Sequence, residues 1–348
     1  MLALLLKALW SLWTLRVAGE PATGTSRSCV SGELCVVTGI VGTGLADGDF
    51  LAVLPLCGVG PALFGMPGGF GESLPASGGG THFVWPGVLL VDGGEYRLCW
   101  CSTVGTCSGL SYFNTDIGTM VVTGPVSGLQ VSCVSGQHCV VANIDGVYLQ
   151  DGDSLMVLTV CAGLPIDGFP NGAKTTTGAL QGREHSWGDA RIAANGGSYE
   201  LCWCAKGATC SQAADHRKQL GTLEVLGPAG GFTKVCNVHE DCTWSGITGL
   251  GLQDGDRVMI LKVCGEGPIV PGFPNADIAI ASGGGGSYSF GSDNYISAGG
   301  GEYAVCWCQT SNSNVCTGPT NFLTPAGLLI VSGAASQHDI SCVQGLEC

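Results

Sequence analysis

Short apolar runs, broken by Gly, Pro, Ser and Asn every 8 to 12 residues, set the texture of this chain. Phe50-Leu-Ala-Val-Leu, Ser154-Leu-Met-Val-Leu and Arg257-Val-Met-Ile-Leu each follow an Asp-Gly-Asp turn, a geometry that launches a strand. Each run is too short for a helix of ordinary length, and no stretch keeps a 3.6-residue apolar period. About seven short strands per roughly 100 residues predict an all-β chain of antiparallel β-sandwich modules, immunoglobulin-like in build, with helix scarce.

Self-comparison fixes the organisation. Cysteines stand at 29, 35, 57, 99, 101 and 107, then at 133, 139, 161, 202, 204 and 210, then at 236, 242, 264, 306, 308 and 316. With Cys342 and Cys348 these account for all 20, on a period of about 104 residues. Gly-Gly-x-Tyr-x-Leu/Val-Cys-Trp-Cys recurs at 93–101, 196–204 and 300–308, and each unit closes on an apolar run such as Gly-Thr-Met-Val-Val-Thr-Gly-Pro. The repeats are accordingly 29–126, 127–229 and 230–333, with 334–348 the start of a truncated fourth. Residues 1–28 combine an apolar amino-terminal segment with the remnant of a preceding repeat's closing strand over 14–21, so the chain reads as a window on a longer array. The apolar run from Met1 to Trp13 has two readings, a signal-peptide core or an exon fragment or misplaced start codon.

Strand parity sorts the Cys-Trp-Cys segment. Alternate residues share a face, so Tyr96 and Trp100 point opposite to Cys99 and Cys101, as do Tyr199 and Trp203, and Tyr303 and Trp307, in the other units. The aromatics are expected in the core and the cysteines on the outer face, stapling loops. Six cysteines allow 15 pairings. The expected set is Cys29–Cys35, Cys57–Cys99 and Cys101–Cys107; Cys133–Cys139, Cys161–Cys202 and Cys204–Cys210; Cys236–Cys242, Cys264–Cys306 and Cys308–Cys316; and Cys342–Cys348. The rival set joins Cys35 to Cys99 or Cys101 across the sheets, as in an immunoglobulin domain.

Composition narrows the role. Thirteen Lys+Arg against 27 Asp+Glu leave a net charge of −14, without a basic surface for nucleic acid. No Cys-x-x-Cys occurs and the six His keep no fixed distance from cysteines, so disulfides in an oxidising compartment are expected rather than zinc. No H-E-x-x-H, G-x-S-x-G, P-loop or helix-opening G-x-G-x-x-G motif occurs, and a non-catalytic protein is expected. His185 and His239, each beside acids, read as solvated loop residues. The recurring acids Asp47 and Asp49, Asp151 and Asp153, Asp254 and Asp256 could supply part of a calcium shell or serve only as turn formers. The Gly/Pro/Ser-rich stretches 58–95, 162–198 and 265–302 carry Phe70, Trp85, Phe169, Trp187, Phe273, Tyr288 and Tyr295, which as loop residues would meet partners.

Through the Gly-x-Tyr-x-Leu/Val-Cys-Trp-Cys segments and the closing Gly-x-Leu-x-Val-x-Gly-Pro runs, residues 14–348 resemble the cysteine-rich tandem repeats of large surface or secreted proteins of dinoflagellates and related protists. That resemblance implies a secreted or cell-surface protein with a structural or adhesive role and an extracellular protein or glycan as partner. The alternative is a carbohydrate- or protein-binding array that uses its variable aromatic loops, with calcium. No cofactor is otherwise expected, and membrane attachment only through residues 1–18 or outside this window.

Overall fold

The computed structural model describes residues 20–291, 295–310, 315–334 and 344. The residues expected to form a signal segment, and both Cys342 and Cys348, lie outside the described residues. The chain divides into two compact units, one of residues 1–126 with 145–149 and one of residues 127–144 with 150–348. The first holds repeat 1. The second holds repeats 2 and 3.

Each of the first three repeats builds a disulfide-stapled all-β module on one plan. The strand after Asp-Gly-Asp (Phe50–Leu54, Ser154–Leu158, Arg257–Leu261) lies antiparallel to the Cys-Trp-Cys strand (Gly94–Cys101, Gly197–Cys204, Gly301–Cys308). That strand in turn pairs antiparallel with the closing strand (Thr115–Pro125, Lys218–Pro228, Thr324–Ser332). The leading strand (Thr25–Val30, Leu129–Val134, Phe232–Asn237) joins the closing strand in parallel, which departs from the all-antiparallel expectation. The leading strand enters from the preceding connection already aligned with its partner, and the rest of the module lies between the two in sequence. Such long crossovers are what parallel pairing requires.

The stretches expected to be partner-facing loops instead make the second sheet. In repeat 1, Leu34–Thr38 pairs with His82–Val88. In repeat 2, Glu184–Ser186 lies between Val140–Val141 and Thr177–Ala179. In repeat 3, Thr243–Ser245, Ser287–Ser289 and Ile278–Ser282 continue onto Arg257–Leu261, so both layers share one seven-stranded sheet. The first module's core lies between its layers: Leu51, Val53, Leu98, Trp100, Met120 and Val122 meet Val37, Phe83 and Trp85. Among the described residues, helix is confined to Pro274–Asp277 and four single turns.

Two glycine motifs follow from close backbone approach. A Cβ on Gly93, Gly196 or Gly300 would overlap the carbonyl of Gly124, Gly227 or Gly333 respectively, where the Cys-Trp-Cys strand begins against the end of the closing strand. Only glycine fits there. In the closing strand a bulge sets Ile117, Leu220 or Ala326 out of register and into the interior. In the second and third repeats the next glycine (Gly221, Gly327) is then pressed against the leading strand's backbone.

Each closing strand also reaches into sequence assigned to the following repeat. Gly124 and Pro125 pair with Val147 and Gly146, and Gly227 and Pro228 with Leu250 and Gly249. Glu20 and Pro21 pair with Thr43 and Gly42 in the same register. These two residues therefore hold the place that a closing strand's end holds in the later repeats. Between repeats 2 and 3, Ser135 Oγ accepts a 2.8 Å hydrogen bond from Thr324 Oγ1 and donates to the Ala194 carbonyl. Val134 packs onto the third core.

Candidate functional site

Among the described residues, nine disulfides are the most repeated chemical feature, three in each of the three modules. They join Cys29 to Cys35, Cys57 to Cys99 and Cys101 to Cys107 in the first. In the second they join Cys133 to Cys139, Cys161 to Cys202 and Cys204 to Cys210. The third repeats the plan with Cys236–Cys242, Cys264–Cys306 and Cys308–Cys316. Cα separations run from 5.4 to 5.9 Å, inside the range the bond requires. No cysteine among the described residues is free, and the cross-sheet partnership of Cys35 with Cys99 or Cys101 does not occur. The first bond of each module ties the leading strand to the start of the second sheet. The other two tie loops down over the Cys-Trp-Cys strand.

Strand parity holds, but the cysteine face is not an outer surface. Cys99 and Cys101 are buried with Ala52, Leu54 and Phe113 in a small second apolar layer, and Cys306, Cys308, Met259, Leu261 and Phe322 form its counterpart. Trp100, Trp203 and Trp307 are buried on the opposite face, as is Tyr303. Tyr96 and Tyr199 are only half-buried, a correction to their placement in the core. All three tyrosines reach the core's rim because the hydroxyl donates to a carbonyl four residues upstream, of Asp92, Asn195 or Gly299, at 2.7–2.9 Å. A buried phenol needs such an acceptor.

The recurring aspartates act within turns. Asp47 accepts from the N–H groups of Gly79 and Gly80, Asp151 from Gly182, and Asp254 from Gly284 and Gly285, clamping a glycine turn of the second sheet. Asp49, Asp153 and Asp256 are buried, and each carboxylate splits its oxygens between two backbone donors. One lies three residues upstream, at Ala46, Gln150 or Gln253, and one lies beyond the Cys-Trp-Cys strand, at Thr103, Lys206 or Thr310. Both oxygens of each of these carboxylates thus accept from backbone amides. Among the described residues the one metal-like trio is Cys161, Glu200 and Cys202, and its sulfurs are bonded to each other. Burial pushes the Asp256 carboxyl up to about 6, with the Gln253 and Thr310 amides opposing. The buried Asp277 is also pushed up to about 6 by burial, and its Oδ2 meets no partner.

The aromatics of the variable stretches are core residues, not recognition loops. Trp85, Trp187, Phe169, Phe273 and Tyr288 are buried and Phe70 is half-buried; Tyr295 alone of the seven is exposed. His239 is exposed as expected, but His185 is not a solvated loop residue. It lies on a second-sheet strand opposite Val141, at 1% exposure, where the other modules place Phe83 and Tyr288. Burial lowers its basicity, and Asp153 opposes the effect.

A further pair went unread in the sequence. His216, fully buried, sets Nε2 2.9 Å from Ser154 Oγ and Nδ1 3.0 Å from the Gln212 carbonyl. The carbonyl can only accept, so Nδ1 carries the proton and Ser154 donates to Nε2. Burial, with Lys174 nearby, lowers this imidazole's pKa, which favours the neutral ring this arrangement requires. Ser154 and Lys174 line a cleft of about 740 Å³. A registered search of sequence could have found both members. Ser154 is the first residue after Asp-Gly-Asp, where Phe50 and Arg257 stand, and His216 is the sixth past the module's last cysteine, where Phe113 and Phe322 stand.

No family model matches the chain. It is 28% identical over 172 residues to Cysteine repeat modular protein B of Toxoplasma gondii, a stretch covering 46% of this chain but 2% of that protein. This similarity supports the coarse part of the sequence resemblance, cysteine-rich modular repeats, and does not extend to the dinoflagellate type. Among solved structures, the chain is similar to the Bacteroides ovatus mixed-linkage glucan utilization locus protein SGBP-B in complex with a heptasaccharide (11% identity, 89% of this chain, 67% of that one, TM-score 0.20). Sidekick-1 immunoglobulin domains 1–4 (12%, 90% and 76%, TM-score 0.17) and Drosophila N-cadherin EC1-3 (7%, 90% and 99%, TM-score 0.21) are similar at the same level. At such TM-scores these likenesses add nothing to the strand pairing itself. No helix among the described residues is long and apolar enough to cross a membrane.

Proposed function

We propose that this chain is a non-catalytic structural and adhesive array of the cell surface or extracellular space, in which covalently stapled modules space out and present surfaces to an extracellular protein or glycan. One observation carries the reading: three disulfides recur in the same places in each of three modules, and none of the described cysteines is left over. Disulfides of this density persist where the compartment is oxidising. A polypeptide with 59 glycines loses much chain entropy on folding, and the crosslinks offset part of that loss by restricting the unfolded state. The similarity to a cysteine repeat modular protein supports the same role. The continuation of each closing strand into the next repeat, and the buried Ser135–Thr324 bond, supply the linkage a spacer needs.

The test is thiol labelling of material produced through a secretory pathway, denatured without reductant, followed by peptide mapping. The proposal expects almost no labelled cysteine and the module-internal pairs. Extensive labelling of secreted, folded chains would refute it.

A further inference from the structure

The three modules share one architecture, so a place where one of them abandons the common packing is informative. That place is the cysteine face of the second module. In the first module the layer above the Cys-Trp-Cys strand is closed by rings: Phe113 fully buried, Phe50 packed against it, and Phe70 edge-on to Phe113 at 5.6 Å. In the third, Phe322 is buried in the same layer, Ile278 packs against it, and Arg257 bonds the Cys316 carbonyl. In the second module the residues at the three phenyl positions are Ser154, Gly172 and His216. Lys174 stands where the others have Glu72 and Ile278, since Met156, Ala52 and Met259 pair with those three residues in turn.

The exchange opens the 740 Å³ cleft, a volume typical of small-ligand sites. Its wall chemistry specifies the ligand. The Ser154 hydroxyl donates its hydrogen bond to His216 and keeps its acceptor lone pairs. Lys174 Nζ spends one proton on the Cys210 carbonyl and keeps two. Asp151 has one oxygen committed to Gly182. Asn171 and the Thr176 hydroxyl complete a lining that offers donors and acceptors side by side. Two aspartates against one lysine disfavour an anion, and each oxygen of Asp153 already accepts from a backbone amide. An apolar ligand would strand these polar groups without partners. What satisfies them is a neutral molecule whose every polar group both donates and accepts. We infer that the second module, alone among the three, holds a binding site for a neutral saccharide unit in the cleft lined by Ser154, which the buried His216 backs. The inference goes beyond the structural role, which stands whether or not the cleft is occupied.

The experiment is isothermal titration of the full secreted chain with neutral oligosaccharides (glucan, mannan and galactan fragments), and with uronate and sulfated oligosaccharides. Binding of a neutral oligosaccharide at one site per chain is expected. Two variants localise it. Ser154→Phe/His216→Phe rebuilds the ring layer of the first module and fills the cleft; Lys174→Met removes a donor while keeping the stem. Each is expected to weaken affinity by about tenfold or more, with the disulfide map unchanged. If the double variant does not fold, Lys174→Met decides. Absence of binding by every neutral oligosaccharide, binding of charged ones only, three sites per chain, or unchanged affinity in a folded variant would each overturn the inference.

Discussion

Acidification should strengthen the third module. Asp256 and Asp277 are both buried and titrate at about 6 in the folded chain, against about 3.9 for an unfolded aspartate. For an acid whose folded pKa is raised, the fold binds more protons than the unfolded chain. Its stabilising effect is full below the unfolded value and is lost as pH rises through the folded one. Going from about pH 7.5 to about pH 5 crosses that upper value, and each carboxyl then contributes about 1.4 kcal/mol, or about 3 kcal/mol for the pair. Hydrogen exchange read by mass spectrometry resolves the module's own peptides. After correction for intrinsic rates, protection across Arg257–Leu261 and Gly301–Cys308 should rise by about a hundredfold. Asp277→Asn should cut that response by half on the logarithmic scale. The backbone there has φ of 67°, and Ala173 holds the corresponding place in the second module at 69°, so the substitution adds no new strain. The second module supplies the contrast. His185 and His216 have lowered folded pKa values, so their contribution is present above the unfolded histidine value and is lost as pH falls. Its peptides should lose protection over the same interval. Flat or falling protection of the third module would refute the placement of both acids in a dry interior.

Further outcomes follow from particular contacts. Cys57→Ala/Cys99→Ala opens a loop with a sequence separation of 42 and should cost about 4 kcal/mol, whereas Cys29→Ala/Cys35→Ala opens one of 6 and should cost about 2 kcal/mol; urea midpoints of the two variants give the order. Gly196→Ala drives a methyl into the Gly227 carbonyl and should destabilise the second module by at least about 2 kcal/mol or prevent its folding, measured by thermal melting and secretion yield. Ser135→Ala strands the Ala194 carbonyl and the Thr324 hydroxyl in a buried place and should cost about 1–3 kcal/mol, read from urea unfolding of the second and third modules.

What the sequence disclosed was what recurs under covalent or steric constraint. Cysteine spacing, Asp-Gly-Asp and Gly-Gly-x-Tyr repeat because a bond, a clamped turn or a backbone contact allows no other residue, so they could be read without coordinates. The second sheet was hidden because its strands are short and set among glycines and positive-φ residues. Thr177–Ala179 is followed at once by Leu180 and Gln181 at φ of 55° and 60°, which erases any two-residue alternation. The buried aromatics of those stretches therefore carry no strand signature in the sequence. His216 was missed for a different reason: it matters because it differs from Phe113 and Phe322, and a search for recurrence passes over the position where a module departs from its siblings. The parallel leading strand left no local mark, since its partner is about 90 residues away.

The claim on which the rest depends is that crosslinks, more than apolar packing, keep these glycine-rich modules folded. One long and two short loops closed in each module amount to about 8 kcal/mol in the chain-entropy treatment, comparable with the whole stability of a small domain. Thermal unfolding of the secreted chain, followed by tryptophan fluorescence with and without a strong reductant, tests this directly. Reduction is predicted to abolish the cooperative transition near room temperature; a fully reduced chain that melts at the same temperature as the oxidised one would contradict it.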